Sequence, residues 1–563
     1  MSRAEKRAWL IFVLGTALIA VFWMLSIHNA FVFDDSKIFG QVSLSTYDEL
    51  FSFYPSSVYL DRPVRNILLK LMYDLFGLDY TLHHAALVCI HIFNMVIAFL
   101  AAERVFAMGY GKDSDKPFVG ACITSLIFGA WPVSSWIAVQ WCSAFNDLIG
   151  TTFALLSFLF YLRSVSNENY KGQNICLEVF FFYLAIRTKE MFYLLPLVFV
   201  LCELYGMLNE KRKKHLTAGT IAGLFVMVIF LAGMLYCKLQ DREFTVDASE
   251  PYYQSFNPVS MTIVLLKYCM TYFDLVHSSM TYEFSWMGLI FLGIVVSGLV
   301  WAVVRAVRQK YGLLLCYISI ALSIAVVLPM VNQVHRLYLY FPSFFVGAAA
   351  AVVILELARH PERVIAYVGI CCVCACNAKG PTEFRNFWYT IGDMENKAYQ
   401  QLEAIPKPEA ESNVYIRLEN TEAYTPFFYG SGAIVKLVYQ DSTLATSVHT
   451  MDENIEYKAP YVVLEYTGGN VYEAARDETR TLTIADLYSA MQEDGTMIIS
   501  LVPEKITDTL KIHVDGTPVQ TVVGEDFISA TVPAVLLKGK DSVSITVSDA
   551  YGTVSNPLLA NVD

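Results

Sequence analysis

The sequence predicts a polytopic α-helical membrane protein with a soluble region at its C-terminal end. Three observations carry this. The 563-residue chain is 55% hydrophobic, above the roughly 45–50% of soluble domains. The apolar residues fall in long runs that stop at Asn377. Charge divides at the same place: residues 1–378 hold 27 Lys+Arg and 25 Asp+Glu, and residues 379–563 hold 13 and 27. The acidic balance belongs to the tail and argues against nucleic-acid binding there.

A window of about 19 residues finds eleven candidate spans: 9–27, 82–107, 118–135, 143–162, 175–187, 191–207, 216–237, 284–304, 311–330, 335–357 and 363–378. The first is read as a retained helix, since its apolar run is long enough to span and it ends in Trp23-Met-Leu-Ser-Ile-His-Asn29, without a small-residue cleavage site. The stretch 258–277 carries Lys267, Asp274 and His277 and reads as an interfacial helix. All twelve Cys lie before Lys379, mostly inside apolar runs, as small buried hydrophobes.

Basic residues set the expected direction. With Arg3, Lys6 and Arg7 on the cytoplasmic side, every cytoplasmic loop is basic, including Lys211 to Lys214, and eleven spans place the tail outside. The domain boundaries expected are 1–378 for the membrane unit, 379–411 for a linker, 412–496 for a small α/β module and 497–563 for an Ig-like β-sandwich. The sandwich rests on period-two alternation in Leu510–Val514 and Ser542–Val547 and on the Asp515-Gly516 hairpin signal. Thr483 to Met491 reads as helix.

That direction sorts unusual polar residues onto one face. Asp34 and Asp35 follow the first span, and adjacent carboxylates raise one another's pKa, which suits a general base. Arg62 and Arg65 flank Pro63 and could bind phosphate through their planar forks. His84, His91 and Asn94 share a helix face that turns inward, where an interhelical hydrogen-bond network is favoured over zinc ligation. Asn146 and Asp147 open the fourth span, Lys189 and Glu190 lie between the fifth and sixth, and His335 and Arg336 follow the ninth. Ionisable groups at membrane depth are functional candidates by default.

The ordered series resembles a known family. Asp34-Asp35, Arg62-Pro63 with Leu75-Phe-Gly77, His91 with Asn94, Trp131-Pro132, Asn146-Asp147-Leu148, Thr188-Lys-Glu190 and Arg336-Leu-Tyr-Leu-Tyr-Phe-Pro-Ser343 look like protein O-mannosyltransferases. They are more similar still to transmembrane-and-TPR mannosyltransferases, membrane glycosyltransferases of the GT-C class. The resemblance covers about residues 10–345. It departs at Trp131 (His in the family), at Ser134 or Ser135 (a family Glu) and at His335 (Glu in the family), and no TPR repeats follow. It implies a polyprenyl-phosphate sugar donor, with mannose or another hexose, and a protein or cell-envelope glycan acceptor. The setting would be the outer face of a bacterial plasma membrane. It also implies Asp34 as base, Asp35 orienting the acceptor or helping to hold a divalent metal, and Arg62, Lys189 and Arg336 on the phosphate, with Arg65, His91, Asn94, Asn146, Asp147, Glu190 and His335 completing the binding set. Two other functions remain open from the residues alone: a lipid or glycan transporter or flippase, and a non-catalytic scaffold carrying an extracellular binding domain.

Overall fold

The computed structural model describes residues 3–24, 31–51, 62–111, 113–166, 171–210, 218–240, 249–250, 253–419, 425–428, 432–478, 482, 484–503, 506, 509–550 and 553–562. The basic run at Lys211 to Lys214 and the Tyr59–Asp61 part of the Arg-Pro segment lie outside the described residues. The chain forms two compact units, one of residues 1–400 with 422–440, the other of 401–421 with 441–563.

The first unit is helical. In chain order it holds α1 (Arg3–Met24), α2 (Asp35–Leu44), α3 (Tyr47–Leu50), α4 (Pro63–Phe76), α5 (Tyr80–Tyr110), α6 (Lys116–Ala130), α7 (Pro132–Gln140), α8 (Phe145–Ser166), α9 (Lys171–Thr188) and α10 (Leu195–Glu210). Then come α11 (Ala218–Gln240), α12 (Pro258–Tyr272), α13 (Trp286–Val307), α14 (Gly312–Ile324), α15 (Pro342–Leu357), α16 (Pro361–Cys376), α17 (Lys379–Ala404) and α18 (Ala433–Tyr439). Each expected span overlaps one of these helices, and 118–135 overlaps two. Among the described residues five are long and apolar enough to cross a membrane, and seven if each bent pair counts as one span. The chain is thus an integral membrane protein, and among the described residues fewer full-length spans are found than the eleven expected. For two of them the reason is length. At about 1.5 Å per residue, α14 with 13 residues and α15 with 16 fall short of a hydrocarbon core of about 30 Å.

Pro placement explains the breaks. Pro132 sits at the first position of α7, where its missing N–H costs nothing, and the chain bends by 56° between α6 and α7. The expected span 118–135 is therefore a broken one. The predicted interfacial stretch is α12, which ends before Asp274.

Close packing inside the bundle uses small residues. A Cβ added at Gly347 of α15 would stand 2.7 Å from the backbone oxygen of Thr124 in α6.

The second unit is mainly β. A four-stranded sheet runs in the order β2-β1-β3-β4, from β1 (Asn413–Leu418), β2 (Ala445–Thr450), β3 (Tyr461–Thr467) and β4 (Asn470–Asp477). Strand β1 is parallel to both β2 and β3, and β4 returns antiparallel on β3. Two further sheets follow, β5-β6-β10-β9 and β12-β11-β7-β8. They are built from β5 (Ile484–Met491), β6 (Met497–Pro503), β7 (Lys511–Val514), β8 (Thr517–Pro518), β9 (Thr521–Val523), β10 (Ile528–Val532), β11 (Ser542–Ser548) and β12 (Leu558–Asn561). Their inward residues, among them Ile499, Ile512, Val514, Ile528 and Ile545, share one core. The Asp515-Gly516 turn joins β7 to β8 with both residues at positive φ, as a type I′ hairpin requires.

One expectation is corrected. Residues Ile484 to Met491, expected to be helix, form β5 and pair with β6. The less exposed residues of this strand, Ile484, Leu487 and Met491, stand at i, i+3 and i+7, which imitates a helix period over so few residues.

The Gly347 contact makes a testable difference between two helix glycines. Gly347→Ala is expected to destabilise the protein by about 1–3 kcal/mol, because backbone cannot give way. Gly293→Ala in α13, where a Cβ would meet nothing within 4 Å, is expected to cost nothing. Thermal unfolding in detergent measures both.

Candidate active site

Five chain junctions meet at one end of the helical unit. Residues 31–35 come first, then Arg62 to Asn66 at the start of α4, 140–147 between α7 and α8, 187–190 after α9, and 335–340 before α15. The short segment 141–147 is the hub. At one end the Ser143 N–H and hydroxyl both donate to Asp35 Oδ1, at 2.6 and 2.5 Å. Four residues on, Asp147 receives Lys189 Nζ on both oxygens at 2.6 Å.

The two aspartates have different environments. Asp35 is buried, at 1% exposure. Besides the Ser143 donors, its Oδ2 accepts the Val32 N–H at 3.0 Å. Asp35 thus pins the turn 32–35 to α8's entry. Within that turn Phe33 has a φ of 53°, a left-handed conformation costly for a bulky residue. Asp34, next in the chain, is half-buried, and no side-chain cap bond ties it to α2. Burial pushes the Asp34 carboxyl above its ordinary range, with Lys37 opposing. For Asp35, burial outweighs the three hydrogen bonds and lifts it to about 7.

The cations are interleaved with acids. Arg62 lies against Glu190 through Nε and Nη2, with the closest contact at 2.9 Å. Lys189 and Glu190, which might have paired with each other by sequence, instead pair outward in opposite directions. Arg65, 8% exposed, donates to the neutral Asn66 Oδ1 from Nε and Nη2, at 2.9 and 2.6 Å. Burial and the neighbouring Arg62 charge push its guanidinium down to about 9. Three cations (Arg62, Arg65, Lys189) therefore face two acids (Asp147, Glu190), which leaves one positive charge over.

Other predicted residues are engaged in structure. His91 Nε2 lies 2.9 Å from the Gly129 carbonyl and Nδ1 2.8 Å from the Tyr340 hydroxyl. A carbonyl only accepts, so Nε2 carries the proton and Nδ1 accepts from Tyr340. Asn94 donates to the Leu148 carbonyl and to Tyr340. This is the interhelical network, and neither side chain reaches the surface. Asn146 accepts the Asp147 N–H. His335 caps the 3₁₀ turn Arg336–Leu339 by accepting the Leu337 N–H. Arg336 donates to the Asp274 carboxylate at 3.1 Å and to its carbonyl at 3.3 Å, and His277 also lies on that carboxylate at 2.8 Å.

The expected metal role of Asp35 does not fit. Its oxygens are taken by three protein donors, and among the described residues no three of His, Cys, Asp or Glu come together.

Several site residues were not foreseen in these roles. Ser143, in Trp141-Cys-Ser-Ala-Phe145, and Asp274, in Tyr272-Phe-Asp-Leu-Val276, have no motif to mark them. Helix α17 adds Trp388, fully buried against Phe33 and Trp141. It also adds Tyr399, whose hydroxyl donates to the Phe31 carbonyl at 3.3 Å and is hydrogen-bonded to Glu395. The strong amphipathic periodicity of residues 379–404 was the available signal.

No family model matches the sequence, and no curated protein matches it. Two solved structures resemble the fold. The crystal structure of ArnT from Cupriavidus metallidurans bound to undecaprenyl phosphate is 15% identical, with a TM-score of 0.45 over 81% of this chain and 93% of that one. The apo structure of the same protein is 15% identical, with a TM-score of 0.42 over 78% and 85%.

Two outcomes test the site's energetics. Asp147→Asn should destabilise by about 3–5 kcal/mol, because Lys189 is left charged and buried. Adding Lys189→Met should recover most of it, as read by thermal unfolding of the single and double variants. Separately, the folded state keeps the Asp35 proton to about pH 7, while an unfolded Asp releases it near pH 4. The native state holds more proton across that window, so stability falls as pH rises from about 4 to 7. Asp35→Asn should flatten that slope.

Proposed function

We propose that the chain is a membrane glycosyltransferase that moves a sugar from a polyprenyl-phosphate donor to an acceptor hydroxyl on the extracytoplasmic face. Two observations carry this reading: a half-exposed carboxylate, Asp34, and, at the same end of the helical unit, a buried cluster with one more cation than acid among the described residues. A sugar phosphodiester carries one negative charge, and among the described residues Arg65 has no acidic hydrogen-bond partner.

The reaction follows from these groups. Asp34 accepts the proton of the acceptor hydroxyl while that oxygen bonds to the anomeric carbon. The bond from that carbon to the phosphate oxygen breaks, and the electron pair leaves with the polyprenyl phosphate. Arg65, with Arg62 and Lys189, stabilises the charge that gathers on the leaving phosphate. One such displacement inverts the anomeric centre. Phosphate leaves readily, so no strong general acid is needed. Asp35 acts by holding the turn that presents Asp34. Arg336 is held by Asp274, as Arg62 is by Glu190 and Lys189 by Asp147, and joins them on the phosphate.

The resemblance to mannosyltransferases of the GT-C class supports mannose or another hexose, with a protein or cell-envelope glycan as acceptor. The basic loops support a cytoplasmic N-terminus in a bacterial plasma membrane, with the tail outside. The domains read as a catalytic membrane unit carrying an α/β module and an Ig-like sandwich.

The experiment gives purified full-length protein in lipid nanodiscs radiolabelled polyprenyl-phosphate sugars and cell-envelope acceptors. Transfer is expected, with an acid limb in its pH profile above the ordinary Asp range: the base must be deprotonated, so the rate climbs as pH passes its raised pKa. Asp34→Asn should cut the rate by roughly 10²–10⁴-fold. No transfer from any donor sinks the reading.

A further inference from the structure

An aromatic wall stands beside Asp34. Phe33 meets Trp388 edge-on at 5.4 Å and Trp141 at 6.3 Å, and the two indoles lie 6.1 Å apart. Phe33 and Trp141 are half-buried, so the wall has an open side, while Trp388 is at 0% exposure. Both indole Nε1 atoms are buried and make no hydrogen bond, and the Oε1 of Gln140, next to Trp141, is likewise unpartnered. Buried donors are rarely left unpaired in native structures. Three such atoms on adjoining residues, next to a residue held at positive φ, need an explanation.

Three carboxyl groups stand around the wall, with Lys37 as the cation that acts on Asp34. Asp34 and Asp35 lie on the same turn as Phe33, and Glu395 of α17 lies within the electrostatic reach of Asp35. Glu395 is itself 7% exposed.

We propose that Phe33, Trp141 and Trp388 form the subsite for the sugar ring. The C–H face of a pyranose would pack on the aromatic rings, and its hydroxyl oxygens would accept from the two indole N–H groups. Asp34, ionised when it acts as base, would select a sugar without a carboxylate of its own. This inference rests on the glycosyltransferase reading and adds to it the residues that choose the sugar. Trp388 belongs to α17, beyond the part of the chain that resembles the mannosyltransferases.

The test uses the full-length protein in nanodiscs and three lipid probes: polyprenyl phosphate, polyprenyl-phosphate hexose and polyprenyl-phosphate hexuronate. Wild type is expected to bind the hexose lipid about tenfold or more tightly than the hexuronate lipid. Trp141→Phe and Trp388→Phe keep a ring and lose only the N–H donor. Each should weaken hexose-lipid binding about five- to tenfold, the scale of one hydrogen bond, with binding of bare polyprenyl phosphate unchanged. If Trp388→Phe fails to fold, Trp141→Phe carries the test by itself. Unchanged hexose-lipid affinity in the folded variants overturns the subsite, as does equal loss for the bare lipid or equal wild-type affinity for the hexuronate. In those cases lipid binding by wild type still leaves the glycosyltransferase reading standing. Wild type that binds none of the three lipids overturns both.

Discussion

The Asp147–Lys189 ion pair governs the arrangement at this end of the bundle. Both groups are nearly dry, with side chains 4% and 5% exposed, and each alone would be costly there. Their bond joins the entry of α8 to the exit of α9. Because Ser143 on the same segment holds Asp35, the pair also fixes where the first loop lies. Glu190, adjacent to Lys189, then has its own cation in Arg62. Two bonds pointing opposite ways from neighbouring residues tie three separated parts of the chain together. The ordering of charges, rather than any one contact, leaves Arg65 as the cation whose described hydrogen bonds go to a neutral amide.

Asp35 and Asp34 show how adjacent residues of one type divide the work. Three donors fill the oxygens of Asp35 and make it part of the scaffold. The same turn leaves Asp34 partly exposed, without a cap bond. A side chain with no cap bond and partial exposure is available to a substrate, whereas its neighbour is spent on holding the loop. Likewise His91 and Asn94 give all their described bonds to Tyr340, Gly129 and Leu148, so their polarity serves helix packing.

Much of this was legible in the sequence. Apolar run length located the helices of the membrane spans, though not the short α2, α3 and α18, and several polar residues that stood out singly are hydrogen-bonded across one end. The period-two alternation found β7 and β11, and Asp515-Gly516 found its hairpin. What escaped were partners. Nothing in Thr188-Lys-Glu190 says that Lys189 reaches Asp147 while Glu190 reaches Arg62, because pairing depends on how helices pack. Nothing beside Arg336 in the sequence marks Asp274, 62 residues earlier, as its partner. Trp388 lay in what reads as a linker, since an amphipathic helix does not announce which surface its apolar face covers. Strand β5 was missed because seven or eight half-exposed residues fit either period.

The shortness of α14 and α15 bears on the bilayer itself. Spanning elements that are too short for the hydrocarbon layer are met by local thinning of the membrane, at modest cost per ångström. Where these helices face lipid, the headgroup plane would dip toward the junctions that hold Lys189 and Arg65. A phosphate carried in that plane would then arrive near the depth of the buried cations, and the protein would lower the surface to its charges instead of lifting a lipid out of the layer.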